Sequence, residues 1–567
     1  MKAGRLEVFA NSGPAFVMNI TWLEVNASFA HSSLALPVLH MACEARGIQA
    51  HWSRVASAAR EDPATVAGKV WQEKPDVLIT SLYLFNRLQV LRILRRVRVL
   101  LPDCQIGAGG PECLGNNEEL LRSTPALDLA FRGAGELSLP DWLLCAGRRQ
   151  QWEGVRGLCW LDDGVYRDNG HPGAAPPPDP LTLVKDPFFE FAKPFVQLET
   201  TRGCPCRCSF CTSGCEPPTG SVSLPRLEQA LRVVRQHGVR EVRILDRTFN
   251  AQPQRCRRLL ELFTNFPDMR FHLEIHPGYL TNSLRRTLMS LPEGLVHLEA
   301  GVQTFQEASL RLCDRNADPP SVEESVRGLA ECPGLEVHAD LLAGLPGQEV
   351  AHVYRDLGVL AAAGPAEIQL EILKVLPGTG LRHQAASRGV LFAPDTPYEV
   401  LSTETMNATD LEEVRLLAKT VDRYYNEPAL RPVTRCLCRE VSVFRQFLAW
   451  LRRYDRADAP VALQRRFRFL YDYLHDSRRT ALAEQLEVRW LQAGLSPRRG
   501  LRPARRWKKP IPGGVVSEDV CGGLPAAIEG QTWYLQQPDR EWWFVYDRSR
   551  QQRMPVRVLH RPLQAHG

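Results

Sequence analysis

The 567-residue sequence predicts an α/β protein with two consecutive parallel-sheet domains and a mostly helical C-terminal domain. Two alternations of strand and helix patterns carry this prediction, one over residues 18–150 and one over residues 195–395. Such alternation is typical of parallel sheets covered by helices. From about residue 396 the pattern becomes helical and rich in arginine. The chain exceeds the length that one hydrophobic core supports, so several domains are expected.

The first alternation predicts a doubly wound, Rossmann-like sheet over residues 18–150. Helix patterns at Leu34–Arg46 and Arg87–Leu101 lie between its strands. The predicted strands are Asn19–Val25, Ile48–Trp52, Asp76–Ser81, Cys104–Ala108 and Leu127–Arg132. Ligands of such sheets bind beyond the carboxyl ends of the strands, where the turns need small residues. Three turns satisfy this condition, at residues 81–83, 107–112 and 133–136.

Residues 151–194 are interpreted as a linker. It contains a predicted hairpin, Leu158–Asn169, that turns at Asp162, Asp163 and Gly164. A proline-rich stretch, Pro172–Pro180, follows. Proline-rich segments are semi-rigid spacers, so a connection between two domains is expected here.

The second alternation predicts an open (β/α)6 barrel over residues 195–395. Its predicted strands are Val196–Thr200, Val242–Asp246, Arg270–Ile275, Val296–Ala300, Glu336–Leu341 and Ile368–Leu373. Functional residues of barrels lie at the carboxyl ends of the strands. A cysteine-rich loop follows the first predicted strand, which is where this rule places a site.

The C-terminal region, residues 396–567, is predicted to be helical, with a basic segment at 498–509 and short strands near its end. The basic segment contains Trp507, which would give an RNA-binding surface a stacking side chain. Basic runs near a terminus are more often solvated, so a nucleic-acid partner is not expected.

Composition restricts the class of protein further. The net charge of +6 is small for this length and does not by itself indicate nucleic acid. Sixteen cysteines in a long chain more often bind metal or do chemistry than form a disulfide framework. No run approaches eighteen apolar residues, and no signal-peptide pattern follows Lys2 and Arg5. A cytoplasmic protein without a membrane span is therefore expected.

Cys204, Cys208 and Cys211 form the most informative motif, with the spacing C-x3-C-x2-C. Three thiolates can hold three irons of a [4Fe–4S] cube and leave the fourth iron open. A structural zinc site needs four ligands, usually in two spaced pairs, and no matching pair stands nearby. An electron-transfer cluster would need a fourth cysteine, for which Cys215 lies close in sequence. Cys206, inside the loop, is either an inert neighbour or an alternative ligand.

This motif, placed just after a predicted strand, resembles that of the radical S-adenosylmethionine (SAM) superfamily. The resemblance implies a [4Fe–4S] cluster whose open iron chelates SAM and cleaves it reductively. Phe210 fits an apolar cover that keeps water from the cluster. Four strand-end residues resemble the SAM-binding positions of the superfamily, Asp246, Glu274, Gln303 and Asp340. A polar strand-end residue is more often a turn cap, so the repetition at four strands supports the assignment.

The N-terminal turns lack the G-x-G-x-x-G fingerprint, which argues against NAD or FAD. They resemble instead the cobalamin-binding domain that precedes the barrel in class B radical SAM enzymes. Glycines in these turns would let the backbone approach a large corrin closely. The D-x-H-x-x-G signature is absent, which removes a lower axial histidine but not cobalamin itself. The cobalamin contacts implied by the resemblance are Ser81, Tyr83, Gly109, Gly110, Pro111, Gly133, Gly135 and Glu136.

Residues 373–379 and 397–401 resemble a branch of these enzymes that carries a C-terminal domain of unknown function. The resemblance implies C-methylation of an unactivated carbon in a small-molecule or peptide substrate. Flavodoxin or ferredoxin would supply single electrons. Two alternatives stay open: radical cyclisation or rearrangement without methyl transfer, and a sensor that binds a cluster or cobalamin without catalysis. Catalytic residues are not assigned, although Tyr83, His276 and Glu299 are unranked candidates for handling substrate protons.

Overall fold

The computed structural model describes residues 17–146, 148–453, 460–509, 511–512, 515–518, 530–547, 554–555 and 557–563. The expectation about a leader at Lys2 and Arg5 lies outside these residues. The chain divides into two compact units. The first runs to His352 and includes Ile372–Leu411, and the second comprises Val353–Glu371 and the chain from Glu412 onward.

Seven strands form the first sheet of the first unit: β1 (Met18–Asn26), β2 (Ala50–Ala58), β3 (Val77–Ser81), β4 (Gln105–Gly109), β5 (Leu129–Phe131), β6 (Leu158–Asp162) and β7 (Val165–Asp168). Their order is β2-β1-β3-β4-β5-β6-β7, and β1 to β5 are parallel. The helices between them are α1 (Ala35–Ala45), α2 (Pro63–Glu73), α3 (Arg87–Leu100), α4 (Glu118–Ser123) and α5 (Gly135–Leu143). One apolar cluster contains residues of α2 and α3, and another contains residues of α1 and α5. Two such clusters are what a doubly wound sheet requires, and the predicted fold class is confirmed.

The predicted hairpin forms, but it is part of the first sheet and does not lie in a free linker. Strand β6 pairs antiparallel with β5 through Leu129 and Trp160, and β7 continues the ladder. The turn residues Asp163 and Gly164 have φ values of 47° and 81°. Two successive positive φ values are typical of the tight turns that join two antiparallel strands. The sheet therefore continues beyond residue 150, a pairing with β5 that no local sequence pattern shows.

The next strands are β8 (Val196–Leu198), β9 (Thr201–Arg202), β10 (Gly220–Ser221), β11 (Glu241–Ile244), β12 (Arg270–Ile275), β13 (Val296–Gln303), β14 (Glu336–Ala343) and β15 (Glu367–Ile372). Strands β9 and β10 form a short antiparallel pair, and the other six belong to one sheet. Five of these six lie in the order β14-β13-β12-β11-β8, and neighbours run parallel. The helices are α6 (Pro180–Leu183), α7 (Leu224–Gln236), α8 (Pro253–Phe263), α9 (Asn282–Met289), α10 (Glu307–Leu312), α11 (Pro319–Ala330), α12 (Val350–Ala363) and α13 (Gly380–Gln384).

The two faces of this second sheet differ in polarity. On β12 and β13 the fully buried side chains Leu273 and Leu298 belong to the apolar core with the surrounding helices. The alternate residues are half-buried and polar, among them His272, Glu274 and Glu299. Successive side chains of a strand point to opposite faces, so these polar groups share the inner face of the barrel. The barrel interior beside the cysteine loop is therefore polar.

A short antiparallel pair, β16 (Leu391–Phe392) and β17 (Val400–Ser402), follows α13. Tyr398, between the two strands, is buried, and its hydroxyl donates to Glu112 Oε2 at 2.7 Å. The same carboxylate accepts from Arg87 Nη1 at 3.0 Å. The segment after the barrel therefore binds the loop that follows β4.

Beyond β17 the chain forms α14 (Ala408–Thr420), a π-helical turn (Val421–Tyr425), α15 (Arg431–Cys438), α16 (Val441–Arg453), α17 (Leu463–Asp476) and α18 (Thr480–Gln492). The last sheet contains β18 (Arg505–Trp507), β19 (Val516–Glu518), β20 (Gly530–Gln536), β21 (Arg540–Asp547) and β22 (Arg557–Pro562). Its order is β18-β20-β21-β22-β19, so part of the basic segment is an edge strand. The Trp507 ring packs against Tyr534 and Trp543, with centroids 4.9 and 5.8 Å away. No helix among the described residues has the length and apolar character that crossing a bilayer requires.

Candidate functional site

The cysteine loop begins where β8 ends and is held at both sides. Gly203 has φ +83°, and a Cβ there would lie 2.2 Å from the carbonyl oxygen of Pro217. The close approach of these two backbone segments therefore requires glycine. The Cys204 amide donates to Glu216 O at 3.0 Å. Farther along, the Ser209 amide donates to Cys313 O at 2.9 Å. These backbone contacts fix the loop independently of its sulfur atoms.

Cys204 and Cys208 are buried, and Cys211 is half-buried. The Nη1 atom of Arg315 donates to Cys208 Sγ at 3.5 Å, and Thr248 Oγ1 lies 3.3 Å from Cys204 Sγ. Burial raises the pKa of the Cys208 thiol, while the Arg315 guanidinium acts in the opposite direction. A buried cation beside a sulfur favours the thiolate, which is the form that ligates metal.

The remaining cysteines of the region are placed differently. Cys206 is half-buried, and its Sγ lies 3.5 Å from the hydroxyl of Tyr279. A hydrogen bond from Cys204 lowers the pKa of Cys206. Cys215 is exposed and donates to Gly378 O at 3.3 Å. Cys215 therefore does not join the other thiols, whereas both interpretations of Cys206 stay open.

The three motif cysteines line a cavity of about 220 Å³, which we call the cluster cavity. Four of the predicted cofactor contacts line it with them: Phe210, Glu274, Gln303 and Asp340. Gln303 has φ +72° and follows an irregularity in the pairing of β13 with β14. A non-glycine residue with positive φ is a strained conformation that is often found at ligand sites.

Asp246 lies apart from the other three strand-end residues of the prediction. It is buried outside the cluster cavity, and its Oδ1 accepts from the backbone amides of Thr200 and Thr201 at 2.7 and 2.9 Å. It lies in the loop after β11, two residues beyond Ile244, which belongs to the apolar core. Arg247, one residue on, lines the cavity instead. Asp246 thus anchors the start of the cysteine loop.

A larger cavity of about 690 Å³, here the sheet cavity, lies between the strand ends of the first sheet and the barrel interior. Seven of the eight residues predicted from the cobalamin resemblance line it: Ser81, Tyr83, Gly109, Gly110, Gly133, Gly135 and Glu136. The eighth, Pro111, lines a neighbouring cavity of about 290 Å³ together with Gly110, Gly133 and Glu136. The structure therefore brings the predicted glycine turns together at one edge of the sheet.

Gly110 shows why this edge needs glycine. Its φ is +92° and its ψ is −176°, a conformation almost confined to glycine. A Cβ atom there would lie 2.4 Å from Ser81 Oγ and 2.8 Å from Leu82 O. The loops after β3 and β4 can approach each other only without that atom.

Arg202 joins the first sheet to the cysteine loop by binding two carboxylates. Its Nη2 lies 2.5 Å from Glu199 Oε2, and its Nη1 donates to Glu136. All three side chains are largely buried, with 17–20% of their surface exposed. Arg202 therefore ties a turn of the first sheet to the residues just before Cys204.

The sheet cavity and the cluster cavity share part of their lining, namely Arg247, Glu274 and Glu299. Arg247 Nη1 lies 3.6 Å from Glu274 Oε1, and burial raises the pKa of Glu274. A hydrogen bond from His272 Nε2, 3.1 Å from Glu299 Oε2, lowers the pKa of Glu299. The two cavities therefore have charged lining residues in common.

The three candidate proton-handling residues lie in different places. Tyr83 lines the sheet cavity and stacks on Phe85, with ring centroids 5.5 Å apart. His276 lines the cluster cavity, its Nδ1 accepts from the Gly278 amide at 3.1 Å, and burial lowers its pKa to about 3. Glu299 lines both cavities. Of the three, Glu299 therefore lies where both spaces meet.

Sequence reasoning missed Arg202, Arg247, His272 and Arg315. His272 has the parity of the inner barrel face, so strand periodicity could have identified it, whereas Arg247 lies in the loop after β11. Arg315 follows α10 and donates to Cys208, which lies 107 positions earlier in the sequence. No pattern near Arg315 indicates such a contact.

The residues present fit the cofactors that the motif implies. Three thiols around one cavity, one of them bonded to a buried guanidinium, fit a [4Fe–4S] cluster with three protein ligands. Carboxylate and amide groups in the same cavity suit the ribose hydroxyls and the ammonium group of SAM. Glycine turns at the edge of a parallel sheet suit a large ligand that approaches the backbone.

Fold and site together define a protein with a doubly wound sheet and a radical SAM barrel. Comparisons with known proteins agree: residues 198–358 match the radical SAM superfamily, and residues 387–494 match a protein family of unknown function, DUF4080. The chain therefore carries a radical SAM domain, as the cysteine spacing predicted. The predicted [4Fe–4S] cluster and SAM are the cofactors of that domain, and the resemblance to the branch with a C-terminal domain of unknown function is confirmed.

Two curated relatives show which proteins this chain is similar to. A hopanoid C-3 methylase of Methylococcus capsulatus is 30% identical over 155 residues, 25% of this chain and 28% of that protein. The cobalamin-dependent radical SAM methyltransferase TokK of Streptomyces tokunonensis is 24% identical over 318 residues, 52% of this chain and 46% of TokK. The chain thus spans about half or less of the length of these relatives.

One solved structure shows the fold over more of the chain. The radical SAM methyltransferase TsrM of Kitasatospora setae, solved with cobalamin and a [4Fe–4S] cluster, superposes with a TM-score of 0.54. The match covers 70% of this chain and 81% of TsrM at 16% identity. At that identity the likeness establishes the architecture of the two sheets.

Proposed function

We propose that this protein is a cobalamin-dependent radical SAM enzyme that methylates an unactivated carbon of its substrate. The observation that carries the proposal is the shared lining of the sheet cavity and the cluster cavity by Arg247, Glu274 and Glu299. A methyl donor at the first sheet and SAM at the cysteine loop would then face one common substrate space. The names of the methylase relatives support the same chemistry.

The chain offers a separate set of residues for each group. Cys204, Cys208 and Cys211 would hold the cluster. Glu274, Gln303 and Asp340 would hold SAM. Gly109, Gly110, Gly133 and Gly135 would lie against cobalamin, with Ser81, Tyr83 and Glu136 beside them. When bound, the cluster supplies one electron to cleave SAM, and methylated cobalamin supplies the transferred methyl group.

The residues between the cavities would bind and orient the substrate. The lowered pKa of Glu299 keeps its carboxylate ionised at neutral pH, and His272 holds it in place. Glu299 would therefore face the substrate as a charged hydrogen-bond acceptor. The lowered pKa of His276 leaves that ring neutral, and its Nδ1 is already engaged by Gly278. Phe210, half-buried at the cluster cavity, would help to exclude water.

The proposal includes partners that follow from this chemistry. A small-molecule or peptide substrate would enter the polar space between the cavities. An external one-electron donor such as flavodoxin or ferredoxin would reduce the cluster. Both requirements fit a cytoplasmic enzyme.

The test uses anaerobically purified full-length protein with reconstituted cluster and hydroxocobalamin, given dithionite and SAM. We expect corrin absorbance to remain after desalting, and both 5′-deoxyadenosine and S-adenosylhomocysteine to form. Formation of 5′-deoxyadenosine alone would replace methylation by a radical rearrangement. Absence of both products, with corrin and iron bound, would favour a sensor and overturn the proposal.

A further inference from the structure

A second group of metal-ligating side chains lies inside the barrel, on β13 and β14. His297 is opposite Glu336 in the parallel register, and His338 stands two residues after Glu336 on the same strand. Residues two apart on a strand share a face, so all three side chains occupy the inner face. One ligand atom of each lies within 4.8 Å of the others.

The outer contacts of this group resemble those of a built metal site. His272 Nδ1 lies 3.3 Å from His297 Nδ1, and His272 Nε2 lies 3.1 Å from Glu299 Oε2. Metal-bound imidazoles almost always use the second ring nitrogen for such a hydrogen bond, which fixes the ring orientation. The His338 ring packs edge-on against His297, with centroids 4.1 Å apart. His297 is therefore held from both neighbouring strands.

The group is separate from the cysteine loop. Glu336 is the first residue of β14, whereas Asp340 on the same strand lines the cluster cavity. Glu336 is exposed, so solvent reaches the group from the amino-terminal end of the strands. The Arg270 guanidinium lies 2.6 Å from Glu336 Oε2 and competes with any cation for this carboxylate.

We infer that His297, His338 and Glu336 bind a divalent transition-metal ion of the zinc type. Two imidazoles and one carboxylate form a set that zinc accepts at about 2.0–2.2 Å, with water in the fourth position. The three ligand atoms lie within 4.8 Å of one another, and binding requires the exposed Glu336 side chain and the two rings to turn toward one ion. This site goes beyond the proposed methylation and does not depend on it.

The test uses full-length, cluster-loaded protein that has been washed with chelator and then given Zn²⁺ alone. We expect one zinc ion per chain beyond the iron, counted by mass spectrometry after desalting. X-ray absorption at the zinc edge should show nitrogen and oxygen ligands at about 2.0–2.2 Å and no sulfur at about 2.3 Å. A sulfur shell would place the zinc at the cysteine loop and overturn the inference.

Variants assign the ligands. His338→Ala and Glu336→Gln should each weaken zinc binding by at least about tenfold, while iron content stays unchanged. Glu336 is exposed, so its glutamine variant does not disturb the core. Arg270→Gln should strengthen binding severalfold, because it releases Glu336. His51→Ala, at an exposed position of β2, is the matched control. Equal zinc affinity in all four variants would overturn the assignment.

Discussion

The two parallel sheets of the first unit present different chemistry at their carboxyl edges. The first sheet offers backbone, because its turns contain Gly109, Gly110 and Gly133. The barrel sheet offers side chains, namely the thiols of the cysteine loop and charged groups such as Glu274. The same topology would thus serve a large ligand that needs close backbone approach in one sheet and a metal cluster that needs ligands in the other. The composition of the turns distinguishes the two uses.

The largest effect should come from the thiols of the barrel. Cys208→Ala removes a sulfur that accepts from Arg315, and we expect most of the iron to be lost and 5′-deoxyadenosine formation to fall by more than about 100-fold. Loss of an outer contact to a metal already costs 10–100-fold, and loss of a ligand exceeds that. Iron and sulfide analysis of reconstituted protein measures the effect.

Cys206→Ala is the matched control for this experiment. Cys206 lines the same cavity and lies 3.5 Å from the Tyr279 hydroxyl. If Cys206 is an inert neighbour, the Cys206→Ala variant should keep at least half of the iron. Equal iron loss in both variants would make Cys206 a ligand and contradict the three-cysteine site.

An intermediate effect should come from the backbone of the first sheet. Gly110→Ala places a Cβ 2.8 Å from the Leu82 carbonyl in a conformation that costs other residues about 1–3 kcal/mol. We expect less corrin bound per chain and a lower thermal unfolding midpoint, with iron content unchanged. Gly109→Ala is the control, since its Cβ would meet no atom closer than 3.6 Å. Equal corrin content and equal unfolding midpoints in the two variants would show that Gly110 does not set the shape of the sheet cavity.

The smallest effect concerns a pair that joins the two regions. His40 Nδ1, on α1, lies 2.7 Å from Oδ2 of Asp186, which precedes the barrel. The hydrogen bond to Asp186 raises the pKa of His40 above its ordinary value of 6.5. A raised folded-state pKa gives stability that is complete below about pH 6.5 and is lost as pH rises through the folded-state value.

His40→Gln should therefore lower stability by about 1.5 kcal/mol at pH 6 and by less at pH 9. Denaturant unfolding at both pH values measures the difference. His51→Gln, on the exposed face of β2, should show no such pH dependence. If His40→Gln lost more stability at pH 9 than at pH 6, the stabilising role of the His40–Asp186 hydrogen bond would be contradicted.

Three barrel strands, β12, β13 and β14, begin where the sequence predicted, because apolar and polar residues alternate at their starts. Strand β12 was predicted at its observed limits, Arg270–Ile275. Glu274, Gln303 and Asp340 could be grouped because carboxyl ends of parallel strands meet at one edge. Asp246 was assigned by the same rule, but it lies in the loop after β11 and binds the backbone amides of Thr200 and Thr201.

Other parts of the site could not be predicted from one sequence. Arg315 and Arg202 act through contacts that depend on how separate segments meet, Arg315 with Cys208 and Arg202 with Glu136. The pairing of β6 with β5 is of the same kind, since antiparallel addition at a sheet edge has no local signal. Contacts of this type are set by tertiary packing, which a local pattern does not encode.

The hydrogen bond between Glu112 and Tyr398 spans 286 positions and restricts how this chain can be recombined. A first module taken from another protein would bring its own residue at position 112. Without a carboxylate there, the Tyr398 hydroxyl would lose its acceptor in a buried place. A chimaera should therefore keep the glycine-edged sheet together with the segment after the barrel.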